Sequence, residues 1–149
     1  MQTLSRADAE AWCKRYAITL DDSRHPLQPS DAREFEIPVD AGQRINLVSA
    51  QLKPRAADAE TLVWFTEWGI WPSSERPHIF ARFRASYGEN RPLIEAPAHV
   101  FAAAEFEDLV SFVTLGVLFL WDIYVVAPRG DILHFSHDEY GWSTQHAAA

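Results

Sequence analysis

The stretch Glu105–Trp142, EFEDLVSFVTLGVLFLWDIYVVAPRGDILHFSHDEYGW, leaves the chain little freedom in how it folds. Its first part repeats Phe106, Leu109, Val110, Val113, Val117 and Leu120 at three- and four-residue spacing, which puts them on one face of a helix. Phe112, Leu115 and Phe119 form a second stripe, so the helix is apolar on most sides and belongs inside a domain. Glu105, Glu107 and Asp108 fall in its first turn, where negative charge suits the helix dipole. The apolar run Phe112–Trp121 is about half of the ~20 residues a membrane span needs. Asp122 ends it, so a span is not expected.

The same stretch continues into a hairpin. Ala127-Pro128-Arg129-Gly130 suits a type I turn, with Pro fixing φ and Gly supplying a left-handed bulge residue. Closing the loop between Ala127 and Asp131 sets the register. Val125 then faces Leu133, Ile123 faces Phe135 and Trp121 faces His137 on a core side. On the other side Val126 meets Ile132, Tyr124 meets His134 and Asp122 meets Ser136.

Elsewhere the signals are shorter. Ser5-Arg6-Ala7-Asp8 reads as a capping box before a helix carrying Ala9, Trp12, Cys13 and Tyr16. Ile18 and Leu20 could begin a strand, and Asp21–Asp31 reads as a loop. Phe35, Ile37 and Val39 alternate with polar residues, as do Ile45 and Leu47, which predicts a hairpin turning at Asp40–Gln43. Leu62–Trp71 is an aromatic strand, with Trp64, Thr66, Trp68 and Ile70 on one face and Val63, Phe65, Glu67 and Gly69 on the other. A serine-capped helix with Pro77 in its first turn should bury Ile79, Phe80, Phe83 and Tyr87 and stop at Gly88. Leu93–Phe101 is a linker with room for a short strand. The sum is one α+β domain, a largely antiparallel sheet with about three helices mainly on one face.

Composition narrows the function classes. A chain of 149 residues can bury a real core. The single cysteine, Cys13, allows no internal disulfide and no metal-binding cysteine pair. With a polar N-terminal segment, the expected compartment is the cytoplasm. The net charge of −8 argues against nucleic-acid binding, which needs a cationic surface. Seven of the acidic residues lie from Glu105 onward, against Arg129 alone. A basic protein partner is compatible with that bias, and so is plain solubility. The oligomeric state is left open.

Four groups could carry chemistry. Asp122, Tyr124, His134 and Ser136 share the mixed hairpin face and supply the residue types of a hydrolase triad. Ser136 would sit on a regular strand, however, and no G-x-S-x-G elbow exists; a polar outer face with ordinary cross-strand hydrogen bonds is the better account of the group. His137-Asp138-Glu139, with His99 and His78 elsewhere, are metal-ligand types, but no H-E-x-x-H or H-x-H spacing is present. An imidazole bonded to backbone at a strand end is the expectation there, so no cofactor and no metal ligands are assigned. Glu67, in an aromatic strand, should if buried have either a raised pKa suited to acid–base work or a cationic partner such as an arginine, while an edge-exposed Glu or a structural Glu–Arg pair fits the sequence as well. Finally, Trp64, Trp68, Trp71, Trp121 and Trp142 are core or, where exposed, partner-binding.

The segments TEWGIWPSS (66–74), SYG (86–88), EAPAHVF (95–101), LGVLFLWD (115–122) and FSHDE (135–139) together resemble a family of small, functionally uncharacterised bacterial proteins. The resemblance implies no activity, cofactor or site residue. Two functions therefore stand as expectations. One is a small binding protein, for example an immunity-type inhibitor, docking a partner through Trp71, Tyr124, His137, Asp138 and Glu139. The other is a small hydrolase or metal-assisted enzyme using Glu67, Asp122, His134 or His137, with Ser136 a further candidate. An enzyme requires at least two of these side chains to converge within hydrogen-bond reach.

Overall fold

The computed structural model describes residues 1–69 and 78–144. It consists of one seven-stranded sheet and four helices. In chain order these are β1 (Gln2–Leu4), α1 (Arg6–Arg15), β2 (Arg33–Glu36), α2 (Ala41–Ala56), β3 (Thr61–Glu67), α3 (His78–Ser86), β4 (Ala98–Phe101), α4 (Phe106–Leu118), β5 (Asp122–Val126), β6 (Ile132–Phe135) and β7 (Tyr140–Ser143). The strand order is β1-β4-β3-β5-β6-β7-β2, and every neighbouring pair is antiparallel. The fold is thus α+β, with four helices where the sequence suggested about three.

Chain connectivity separates the helices between the two faces. α1 and the loop after it carry the chain from one edge of the sheet to the other, and α1 covers one face with Ala9, Trp12 and Cys13, packed on Leu62, Trp64, Val100, Tyr124 and Val126. Burial pushes the Cys13 thiol up to about 12, with Glu10 adding to it, as befits a structural thiol. α2, α3 and α4 lie on the other face. There Val48, Leu52, Phe80, Phe112, Val113 and Val117 meet Val63, Phe65, Ile123, Val125, Leu133 and Phe135. Gly116 lets α4 press against the sheet: a Cβ would come within 2.4 Å of Ile123 and 3.0 Å of Phe65.

The β5–β6 hairpin has the expected register, Ile123–Phe135 through Val126–Ile132. Its three-residue loop closes with Ala127 N–H donating to the Asp131 carbonyl at 2.9 Å, and Gly130 takes φ +83°. Beyond Phe135 the ladder stops. Ser136 N–H donates to the Tyr140 carbonyl at 2.9 Å and the chain turns into β7, with Glu139 at φ +64°. The expected Trp121–His137 and Asp122–Ser136 pairs are therefore absent from the ladder.

Other expectations need correction. The proposed hairpin at residues 35–47 is instead β2, paired with the distant β7, followed by α2. Asp40, taken as a turn residue, is the N-cap of that helix, accepting from Gln43 N–H at 2.8 Å. Arg44, Val48, Leu52 and Ala56 recur every four residues along its buried side. In α3, Ile79 is exposed, whereas Phe80 and Arg84 are buried. Ile18 and Leu20 yield an isolated bridge, Leu20–Pro26, and no strand. The mixed hairpin face is not an outer face: α1 and the loop around His25 cover it, so Asp122, Tyr124, His134 and Ser136 are all buried.

Candidate functional site

α4 ends in a Schellman motif. Trp121 N–H donates to the Gly116 carbonyl at 3.0 Å and Leu120 N–H to the Val117 carbonyl at 3.1 Å, with Leu120 held at φ +54°. This sharp stop sends Trp121 into the three-helix core and, one residue on, turns Asp122 to the opposite face.

On the neighbouring strand, β3 pairs regularly with β5 up to Phe65–Ile123 and then slips, so that Glu67 lies opposite Asp122. One extra residue, Thr66, is accommodated there as a bulge. Glu67 thereby leaves the side of Val63 and Phe65, where strict alternation would put it, and meets Asp122.

The third participant comes from the β6–β7 turn. Asp122 holds His137 twice: Oδ1 accepts from the His137 backbone N–H at 2.6 Å, and Oδ2 lies 2.9 Å from Nδ1. Glu67 Oε2 is 3.4 Å from the same Nδ1, and Asp138 Oδ1 is 3.2 Å from Nε2. The imidazole thus bonds carboxylates rather than the backbone acceptor expected from the sequence. One potential ligand atom from each of Glu67, Asp122 and His137 lies within 4.8 Å of the others. No other three such side chains satisfy that condition among the described residues.

The electrostatics follow from this crowding. Glu67 has its pKa raised, first because it shares a hydrogen bond with Asp122, then through burial and the Asp122 charge. For His137, burial opposes protonation but is outweighed by the bond to Asp122 and the charges of Asp122, Asp138 and Glu67, so its pKa rises. Two carboxylates and one imidazole sit where protons, or another cation, must offset mutual repulsion. Asp122 is 12 % exposed at its side chain, His137 25 % and Glu67 55 %, so the cluster opens to solvent on the Glu67 side.

The remaining candidates do other things. His134 stacks on Tyr124, with ring centroids 4.2 Å apart, and burial lowers its pKa to about 4. Burial likewise raises the Tyr124 hydroxyl. Ser136 Oγ accepts from Asp138 N–H at 3.2 Å and so supports the turn. No Ser–His–Asp relay forms among these residues. Of the expected partner-binding set, Tyr124 is buried, Asp138 and Glu139 are exposed, and Trp71 lies outside the described residues. Glu67 has no arginine partner among the described residues; its partners are Asp122 and His137. His99, considered as a metal-ligand type, is fully buried, and its Nε2 accepts from Arg84 Nε–H at 3.0 Å.

Strand counting paired Asp122 with Ser136, whereas the grouping that forms takes Glu67, Asp122 and His137 from the enzyme candidates and leaves His134 and Ser136 out. The only local hint of it is the polar pair Thr66-Glu67 interrupting an aromatic strand. Comparison with protein families, with curated proteins and with solved structures finds no match. No helix among the described residues is long and apolar enough to cross a membrane.

Proposed function

We propose that Glu67, Asp122 and His137 hold a divalent cation and that the protein is a small metal-assisted hydrolytic enzyme. The observation that carries this reading is the convergence of the three side chains from β3, β5 and the β6–β7 turn. One imidazole nitrogen and two carboxylates suit zinc, manganese or iron. Three protein ligands leave positions for water, which a bound ion can activate for attack on an ester or phosphoester. The second hold of Asp122, on the His137 backbone, fixes the turn that presents the ring.

The test is titration calorimetry of the metal-stripped protein with zinc and with manganese. One site per chain is expected. His137→Ala and Asp122→Asn should each weaken it at least about tenfold, and hydrolysis of a nitrophenyl ester or phosphate should appear only on metal addition. If wild type and both variants bind metal equally, or not at all, the reading fails.

A second reading, an acidic binding protein for a basic partner, draws on the β2 edge of the sheet. β2 is an edge strand whose Glu34 and Glu36 are exposed, close in sequence pairing to the exposed Tyr140. An edge of this kind can accept a strand from a partner, and its charge favours a basic one. Charge reversal of Glu34 and Glu36 would abolish that interaction while leaving metal binding intact.

A further inference from the structure

On the three-helix side of the sheet a cavity of about 550 Å³ opens between α3, the segment following it and the end of β3. That volume lies in the range of small-molecule sites. Trp68, Phe80, Leu93 and Trp121 give it apolar walls, and Arg82, Arg84 and Arg91 give it positive charge against a single carboxylate, Glu89.

Arg84 is the unusual member. It is 5 % exposed, yet it spends its hydrogen bonds on neutral acceptors: His99 Nε2 at 3.0 Å, the Arg91 carbonyl at 2.8 Å and the Ala96 carbonyl at 3.0 Å. Those bonds use three of the five N–H groups a guanidinium carries. Glu89 is already taken by Arg91, at 2.7 Å, and by the Thr3 hydroxyl. Arg84 has no ion pair among the described residues, and neither has Arg82. The carboxylate charge that reaches Arg84, that of Glu89, acts without direct contact and is shared with Arg91, and a buried cation so thinly compensated is costly. The cavity wall also contains Trp121, 1 % exposed, whose indole N–H has no hydrogen-bond acceptor. A cation with no direct ion pair and a donor lacking an acceptor both call for the same thing, an anionic oxygen.

We propose that this cavity binds a small organic acid, a carboxylate carried on a flat apolar body. The charge is answered by Arg82 and Arg84, and the body lies among Trp68, Leu93 and Trp121. The site is separate from the Glu67–Asp122–His137 cluster: Trp121 and Asp122 adjoin in sequence but face opposite sides of the sheet. It requires no metal.

Isothermal titration of the whole protein with 1-naphthaleneacetate and with the uncharged 1-naphthaleneacetamide tests this. One saturable site is expected for the acid, with the amide at least about tenfold weaker because the charge-assisted bonds are lost. Arg82→Gln should reduce the preference for the acid several-fold. Trp121→Phe, which keeps the ring and removes the donor, should weaken the acid about fivefold. Leu93→Trp, which fills the cavity from a partly exposed position, should block both ligands. Circular dichroism and thermal unfolding establish that each variant is folded before its titration is read. Absence of binding by folded wild type at millimolar acid overturns the proposal. So does equal affinity for acid and amide, or binding unchanged in folded Leu93→Trp.

Discussion

At one end of the sheet, two adjacent steps along the chain, Glu67–Trp68 and Trp121–Asp122, send one residue to each face, and the two faces solve the same problem differently. On the α1 side, Asp122, His137 and Glu67 answer one another, so that every charge has a partner within 3.4 Å. On the three-helix side, Arg84 is buried with neutral acceptors only, and the Trp121 indole has none. The first arrangement is closed on itself, and it is the one proposed to take a small cation. The second leaves a donor without an acceptor, and it is the one proposed to take an anion. Alternation along a strand is sufficient to produce both, because successive side chains point to opposite faces.

The comparison can be broken most severely on the arginine side. Arg84→Met removes the buried cation but also orphans His99 Nε2 and two backbone carbonyls. The expected loss is about 3 kcal/mol in urea unfolding. Adding His99→Phe should recover part of it, since that ring already packs edge-on against Phe65 and Phe112 at 5.7 and 4.6 Å. If the double variant is no more stable than Arg84→Met, unpaired acceptors are not what the single change costs. On the other face, Asp122→Ala leaves the His137 N–H without its acceptor and frees the turn. About 2 kcal/mol is expected by the same measurement, together with loss of the proposed metal binding.

Acid should separate the faces next. Burial first, then Arg84, holds the folded-state pKa of His99 down to about 3. As pH falls below the ordinary histidine value of 6.5, the unfolded chain takes up a proton that the folded chain refuses, so stability declines until about pH 3. His134, lowered to about 4, adds to the same slope from the opposite face. Glu89 acts later: its carboxylate, held down to about 2 chiefly by Arg91, contributes stability above pH 4.5 that is lost as pH falls toward 2. His99→Gln keeps an acceptor for Arg84 but does not titrate. Its unfolding midpoint should therefore fall less steeply than that of wild type between pH 6.5 and 4.5. Parallel curves would show that His99 is not the source of the slope.

How much of this was legible in the sequence follows from which contacts are local. The β5–β6 register could be counted from Pro128 and Gly130 because a three-residue loop fixes it, and the Ser5 cap of α1 and the apolar stripes of α4 are equally short-range. α2 was misread because Ile45 and Leu47 alternate over too few positions to distinguish a strand from a helix. The deciding pattern, Arg44, Val48, Leu52 and Ala56, includes a buried arginine that hydropathy counts as polar. Its Nε–H donates to the Pro38 carbonyl at 2.5 Å and its Nη1 to the Leu118 carbonyl at 3.3 Å, which is how that face tolerates it. The candidate metal cluster was out of reach for a different reason. It depends on β3 pairing with β5 across more than fifty residues and on a bulge at Thr66, and strict alternation places Glu67 on the wrong side. The turn after Phe135, which swings His137 back to Asp122, has no proline or glycine before Gly141 to announce it.

The smallest effect is the most diagnostic. Glu67 has its pKa raised by sharing a hydrogen bond with Asp122, by burial and by the adjacent Asp122 charge, so in the metal-free protein its ionised form is a mild liability. Glu67→Gln preserves a group that can donate to Asp122 and removes one of the two repelling charges. Because the Glu67 side chain is more than half exposed, solvent screens most of the repulsion. The expected gain at neutral pH is only a few tenths of a kcal/mol. The same change removes a ligand charge and should weaken zinc binding severalfold in titration calorimetry. A purely structural cluster would give the first result without the second, since nothing in its stability would depend on an ion. Stability gained and metal affinity lost, in one variant, is the pattern expected where a carboxylate is kept against its own electrostatics for the sake of a cation.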